Sequence, residues 1–200
     1  MYTLINGSQK NKKSNSQTFL EYVSEYLDEY NIYNLNNSKY EDVINNTSIS
    51  SAIVLAFPLY ADSPTSLMLS FLDYIYDLRI KLKNISVYAI INCGFLEGEQ
   101  NITANNIIKN WCIKVGADYK GSILIGAGEI VGNKNFRFIS KNAYKELRKF
   151  SICVNEDKEC GNIITTMDIL NNKLYCMLAN HSWTKKGKKN KLNKKSIKTT

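Results

Sequence analysis

Ser8, Ser14, Asn15 and Ser16 bring hydroxyl and amide groups together at a spacing suited to holding a phosphate. They flank a polar run, Gln9 to Lys13, which follows an apolar stretch ending in Asn6-Gly7-Ser8 and precedes an expected helix. The first N–H groups of a helix lack an intrahelical acceptor, and the helix dipole leaves partial positive charge at that end. Ser and Asn side chains there cap the helix and add donors, so a phosphate monoester fits. Lys10 adds a cation nearby. The same residues also suit a plain strand-to-helix turn under a Ser/Asn cap. The run lacks a second Gly and the Gly-Lys-Ser/Thr ending of nucleoside triphosphate loops. It also lacks the Gly-x-Gly-x-x-Gly of dinucleotide folds.

Two further segments carry what a flat, amphipathic ring system needs. Pro58-Leu59-Tyr60-Ala61-Asp62-Ser63-Pro64 offers apolar contact through Pro58, Leu59 and Tyr60, or else a rigid strand end with a core tyrosine. Asn92-Cys93-Gly94-Phe95-Leu96-Glu97 offers Gly94, where backbone can approach closely, with Phe95 beside it. Cys93 reads as a small residue beside a ring rather than a nucleophile. His181, the single histidine, reads as a surface residue or a substrate contact.

The elements that must position these segments alternate in type. Strands are expected over residues 1–5, 31–35, 52–57, 85–91 and 122–125. The run Ala52–Phe57 is apolar throughout, as in a parallel strand covered on both faces. Helical spacing predicts helices over Ser16–Tyr30, Thr65–Leu78 and Ile102–Val115, and another from about Ser140. A loop containing Gly126, Gly128 and Gly132 precedes that last helix. Residues 151–180 read as an irregular connection, then a helix over about Met167–Leu178 that packs on the body or on a second subunit. Alternating strands and helices predict a parallel α/β sheet with right-handed crossovers, in order 2-1-3-4-5, with its ligand crevice at the carboxyl ends of strands one and three.

The first loop, Gly7-Ser8 with Ser14-Asn15-Ser16 five residues on, resembles the phosphate loop of the flavodoxin-like, NAD(P)H-dependent FMN reductase and quinone reductase family. Pro58, Tyr60 and Pro64 resemble that family's Pro-x-Tyr…Pro loop after strand three. Asn92 to Glu97 occupies the place of its loop against the isoalloxazine. The resemblance spans residues 1–150. It implies a flavodoxin-like three-layer sandwich with a five-stranded parallel sheet, FMN as cofactor and NADH or NADPH as reductant. It further implies that Ser8, Lys10, Ser14, Asn15 and Ser16 hold the FMN phosphate. Pro58, Leu59 and Tyr60 would line the ribityl chain and ring, and Asn92, Cys93, Gly94 and Phe95 the pyrimidine side. The flavin would carry the chemistry in ping-pong fashion to a small acceptor: a quinone, nitro or azo compound, flavin or metal. A homodimer is implied as well.

Composition bounds the alternatives. Two hundred residues, 44% hydrophobic, suit one α/β domain over 1–180. Five cysteines without a Cys-x-x-Cys pair predict neither a zinc nor an iron–sulfur site. No apolar run reaches membrane-spanning length and no leader pattern opens the chain, so a cytoplasmic protein is expected. The formal charge of +8 comes from eight lysines between Lys185 and Lys198; the remaining basic and acidic residues balance. That Lys-rich stretch, within 181–200, is expected to be mobile, a solubilising tail or a contact for an anionic partner. The alternatives to a reductase are a flavodoxin-like electron carrier, and a non-catalytic binding protein using its basic tail.

Overall fold

The computed structural model describes residues 1–10, 13–168 and 172–190. The chain divides into two units, Met1–Asp168 and Ile169–Thr200.

The first unit alternates β1 (Tyr2–Asn6), α1 (Asn15–Ser24), β2 (Tyr30–Asn34), α2 (Tyr40–Ile49), β3 (Ala52–Pro58), α3 (Ser66–Asp77), β4 (Ser86–Asn92), α4 (Ile102–Val115), β5 (Asp118–Ile125), a short α5 (Gly128–Val131), α6 (Lys141–Asn155) and β6 (Gly161–Thr165). The six strands form one parallel sheet in the order β2-β1-β3-β4-β5-β6. The expected order 2-1-3-4-5 is present, but the sheet has six strands, not five. The sixth lies inside the segment read as an irregular connection. Its sequence, Gly-Asn-Ile-Ile-Thr, is short, largely exposed and paired on one side only, so no apolar run announces it.

β3 and β4 occupy the middle of the sheet and are buried almost end to end. Their odd and even residues face two helix layers, as the side-chain alternation of a strand requires. On one face Ile53, Leu55, Phe57, Val87, Ala89 and Ile91 pack with Met68, Phe71, Leu72 and Ile75 of α3 and with Ile108, Trp111 and Val115 of α4. The Trp111 indole N–H donates to the Leu72 carbonyl at 2.9 Å and locks these two helices together. On the other face the fully buried Tyr88 meets Phe150 of α6 edge-on, with ring centroids 5.9 Å apart.

The first helix is shorter than its apolar spacing predicts. α1 ends at Ser24, and the N–H groups of Glu25, Tyr26 and Leu27 bond three residues back in a tightened turn. Tyr30 is the first residue of β2, not the last of the helix. Leu27 stays buried in that turn, which is why the helical pattern outruns the helix.

In the second unit α7 covers Asn172–Lys189. The helix predicted over Met167–Leu178 therefore runs further along the chain, through the first lysines of the basic stretch. Residues 169–171 and Lys191, Lys194, Lys195 and Lys198 lie outside the described residues. No helix among the described residues is long and apolar enough to cross a membrane.

Candidate functional site

Loops leave the carboxyl ends of β1, β3, β4 and β5 side by side, because parallel pairing brings all strand ends to one edge. At β1 the pairing runs one residue past the strand, the Gly7 N–H donating to the Ala56 carbonyl at 2.8 Å. Glycine leaves room there: a Cβ would stand 2.6 Å from the Met68 terminal methyl and 3.0 Å from its Cβ, so a larger residue would have to displace the Met68 side chain. The Thr65 hydroxyl donates to the Gly7 carbonyl at 2.6 Å and accepts from the Met68 N–H at 3.1 Å, so one side chain caps α3 and pins the loop.

The Asn6 side chain organises the rest of this loop. Its oxygen accepts from the Ser8 N–H at 3.0 Å, and its amide nitrogen donates to Asn34 at 2.7 Å, Gln17 at 3.2 Å and Ser14 at 3.4 Å. Ser14 is the N-cap of α1, its hydroxyl accepting from the Gln17 N–H at 3.1 Å. The hydroxyl proton is then free to point outward, beside first-turn amides that precede any intrahelical acceptor. Ser8, Ser14 and Ser16 are buried, Asn15 is half-buried and Lys10 is exposed. A polar cleft of about 230 Å³ opens along this loop, lined by Asn6, Lys10, Lys13, Ser14, Gln17 and Asn34 among others. Lys13 pairs there with Glu21 at 2.5 Å. Asn6, Asn34 and Thr65 stand outside the residues singled out from the sequence. An Asn directly before Gly-Ser, able to form an Asx turn, was the available signal for the first of them.

After β3, the Leu59 N–H donates to the Asn92 carbonyl at 2.8 Å and Leu59 is buried. Tyr60 and Ser63 pair in both directions at 3.0 and 3.1 Å around Ala61 and Asp62, whose φ values are 48° and 57°. This is a tight hairpin of the primed type. It leaves the Tyr60 ring 44% exposed. After β4, Phe95 is 54% exposed and a Cβ at Gly94 would meet nothing within 4 Å.

Asn92 and Cys93 are turned inward. The Asn92 amide donates to the Ser16 hydroxyl at 2.9 Å and to the Phe57 carbonyl at 3.1 Å. The Cys93 thiol lies against the Phe95 and Glu97 carbonyls and accepts from the Asn101 amide at 3.4 Å. Burial raises its pKa above the ordinary thiol value, so it stays protonated and behaves as a packing group.

A fourth loop closes over two of the predicted residues. The Gly128 N–H donates to the Cys93 carbonyl at 2.8 Å, and the Ala127 N–H donates to the Phe95 carbonyl. A Cβ at Gly132 would come within 2.8 Å of the Asn15 side-chain oxygen, and one at Gly128 within 3.0 Å of that of Asn92. Thus the structure brings Ser8, Ser14, Tyr60, Gly94 and Phe95 to one edge of the sheet, with Tyr60, Gly94 and Phe95 exposed and Ser8 and Ser14 buried. Ser16, Asn92 and Cys93 are buried behind it as supports, and Asn15 is half-buried against Gly132. A larger cleft, about 420 Å³ and lined by Tyr76, Arg79, Lys81 and Lys114, lies at the C-termini of α3 and α4, away from these loops.

A doubly wound parallel sheet in which β2-β1-β3-β4-β5 follow in that order defines the flavodoxin-like α/β class. No family model matches the chain. No curated protein matches it. Solved structures do. The chain is similar to an NADPH-quinone reductase from P. pentosaceus, with a TM-score of 0.59 and 14% identity over 77% of this chain and 96% of that one. It is similar to an FMN-dependent NADH-azoreductase from Bacillus anthracis in complex with FMN, with a TM-score of 0.56 and 17% identity over 77% and 98%. It is also similar to the Trp repressor binding protein from Bacillus subtilis, with a TM-score of 0.56 and 17% identity over 63% and 84%. The fold of this chain is the flavodoxin-like fold that these proteins share.

Proposed function

We propose that this protein is an FMN-dependent NAD(P)H oxidoreductase that passes two electrons, in ping-pong fashion, to a small acceptor such as a quinone, a nitro or azo compound, free flavin or a metal ion. The observation that carries the reading is the convergence of three loops at one sheet edge. One presents helix-capping hydroxyls and helix N–H groups beside lysines, and the other two present the half-exposed rings of Tyr60 and Phe95. The fold similarity to reductases of this kind supports it.

The donor set fits an FMN phosphate. The Ser8 and Ser14 hydroxyls and the first-turn N–H groups of α1 would hold its oxygens, with Lys10 balancing charge. Leu59 and Tyr60 would wall the ribityl chain and ring on one side, and Gly94 and Phe95 the other, with room at Gly94 for backbone to approach. Bound FMN would supply acceptance of hydride from NAD(P)H and its delivery to the acceptor. The protein's part is to orient and to shield. Asn92 ties the first turn of α1 to the ends of β3 and β4, and the Gly128 segment holds the Phe95 loop in place. No side-chain acid or nucleophile is called for, consistent with a Cys93 thiol kept protonated by burial.

The reading extends to a cytoplasmic, homodimeric protein organised as one domain over 1–180, with the Lys-rich 181–200 stretch as an appendage able to contact an anionic partner. The test is an anaerobic absorbance titration of FMN-loaded protein with NADPH and then NADH. Rapid bleaching by either is expected. A bound flavin spectrum that neither nucleotide changes would overturn the reductase and favour an electron carrier.

A further inference from the structure

The segment that follows α3 crosses to α4 and closes the ends of both helices. α3 finishes in a Schellman turn: the Arg79 N–H donates to the Tyr76 carbonyl at 2.9 Å and the Ile80 N–H to the Ile75 carbonyl at 3.2 Å. Further on, the Lys81 ammonium donates to the Lys114 carbonyl at 2.9 Å and the Leu82 N–H to the Val115 carbonyl at 2.9 Å. The cleft of about 420 Å³ lies at this crossing, away from the candidate site.

Arg79 holds the left-handed position of the turn, at φ 55°. A side chain with a Cβ is strained there, and glycine is the usual occupant. α4 ends in the usual way, with Gly116 at φ 76°. α3 keeps an arginine instead, and Arg79 lines the cleft. Backbone outliers of this kind gather where a ligand is held.

Arg79, Lys81 and Lys114 line the cleft against one carboxylate, that of Asp77. Among the described residues none of these three cations has an ion-pair partner. The C-terminal end of a helix dipole would by itself oppose an anion. Here the Ile75, Tyr76, Lys114 and Val115 carbonyls already accept hydrogen bonds, as given above. Lys81 spends one ammonium proton on that capping and keeps two. The Lys114 ammonium stands 5.3 Å from the centroid of the half-exposed Tyr76 ring, so an aromatic side chain borders the cations.

The geometry points to a second binding site in this cleft, for a small phosphate-bearing molecule whose oxygens are taken by Arg79, Lys81 and Lys114. The guanidinium fork can hold two oxygens of one phosphate, and the two ammonium groups add charge without a fixed direction. The strained turn is what brings the fork to the cleft. The volume is within the range of small-ligand sites, about 300–1,000 Å³, and leaves room for an organic group beside the phosphate.

The test is an NMR titration of the ¹⁵N-labelled full-length protein with pyrophosphate and, separately, with ADP, against sodium chloride at matched ionic strength. Saturable shifts are expected at the backbone amides of Tyr76 to Leu82 and of Lys114 to Gly116. Tighter binding of ADP than of pyrophosphate would support the site and assign the organic part to the Tyr76 ring. Equal affinity would support it with phosphate as the whole ligand. Arg79→Gly should weaken either probe about tenfold or more. Its melting temperature should stay level or rise, because glycine takes this φ without strain. That variant therefore separates binding from folding, and Lys114→Gln should weaken binding in the same direction. Shifts that sodium chloride reproduces, shifts confined to the loop after β1, or unchanged affinity in Arg79→Gly would overturn the inference.

Discussion

The Asn92 amide at the end of β4 donates to the Ser16 hydroxyl in the first turn of α1, 2.9 Å away and 76 residues earlier in the chain. Its second proton goes to the Phe57 carbonyl. One buried side chain thus ties the first turn of α1 to the ends of β3 and β4. Asn92→Ala leaves the Ser16 hydroxyl and the Phe57 carbonyl short of a donor, a loss of about 1–3 kcal/mol. We expect a lower urea midpoint at unchanged slope, and FMN affinity falling with it. Affinity falling at unchanged stability would mean that Asn92 touches the ligand directly.

Thr65 is the corresponding pin for the loop after β1. Thr65→Val keeps the volume but removes both the α3 cap and the donor to the Gly7 carbonyl. The expected cost is about 1–2 kcal/mol for the cap alone. Thr65→Ser should restore most of it. Destabilisation by Ser but not by Val would show that the methyl group, and not the hydroxyl, holds the loop.

Tyr60 and Phe95 separate binding from folding. Both rings are about half exposed. Replacing either with Ala should shift stability by no more than about 0.5 kcal/mol. Loss of an aromatic contact with a bound ring should weaken FMN by about 0.5–1.5 kcal/mol per site, roughly 2- to 12-fold. Fluorescence titration of FMN measures the second effect and chemical denaturation the first. FMN affinity unchanged in the double variant would remove these rings from the site.

Cys112 sets a pH dependence. Burial in the α4 core pushes its thiol up to about 12 from the ordinary 9.0. The unfolded chain therefore releases this proton first as the pH rises. The stability it contributes is whole below about pH 9 and is lost as the pH climbs toward 12, at up to about 1.4 kcal/mol per pH unit. Denaturation curves between pH 8 and 11 should fall more steeply for the natural sequence than for Cys112→Ala. Parallel curves would count against a buried neutral thiol.

The central framework was legible because burial on both faces writes itself into the chain as unbroken apolar runs, as in Ala52–Phe57. α4 was legible because one face of it alone meets the core, placing Ala104, Ile108, Trp111 and Val115 at helical spacing. β6 was not, since an edge strand needs few apolar residues; its pairing with β5 is a long-range fact. The site loops could be located by their order after strands one, three and four. The sequence could not say which of their polar groups face outward. Asn15 and Asn92 look like ligand groups until Gly128 and Gly132, more than thirty residues further on, are seen to lie against them.

The hairpin of Tyr60 to Ser63 has a different consequence. Around the candidate site, the loops after β4 and β5 are stitched to each other by backbone hydrogen bonds, and the loop after β1 is pinned by Thr65. Ala61 and Asp62 form an exposed tip, closed beneath by the paired backbones of Tyr60 and Ser63. Insertions or deletions there would change the height of one wall and leave the floor as it is. Over evolutionary time, or in a library of variants, this tip is where chain length can drift, and with it the size of molecule admitted.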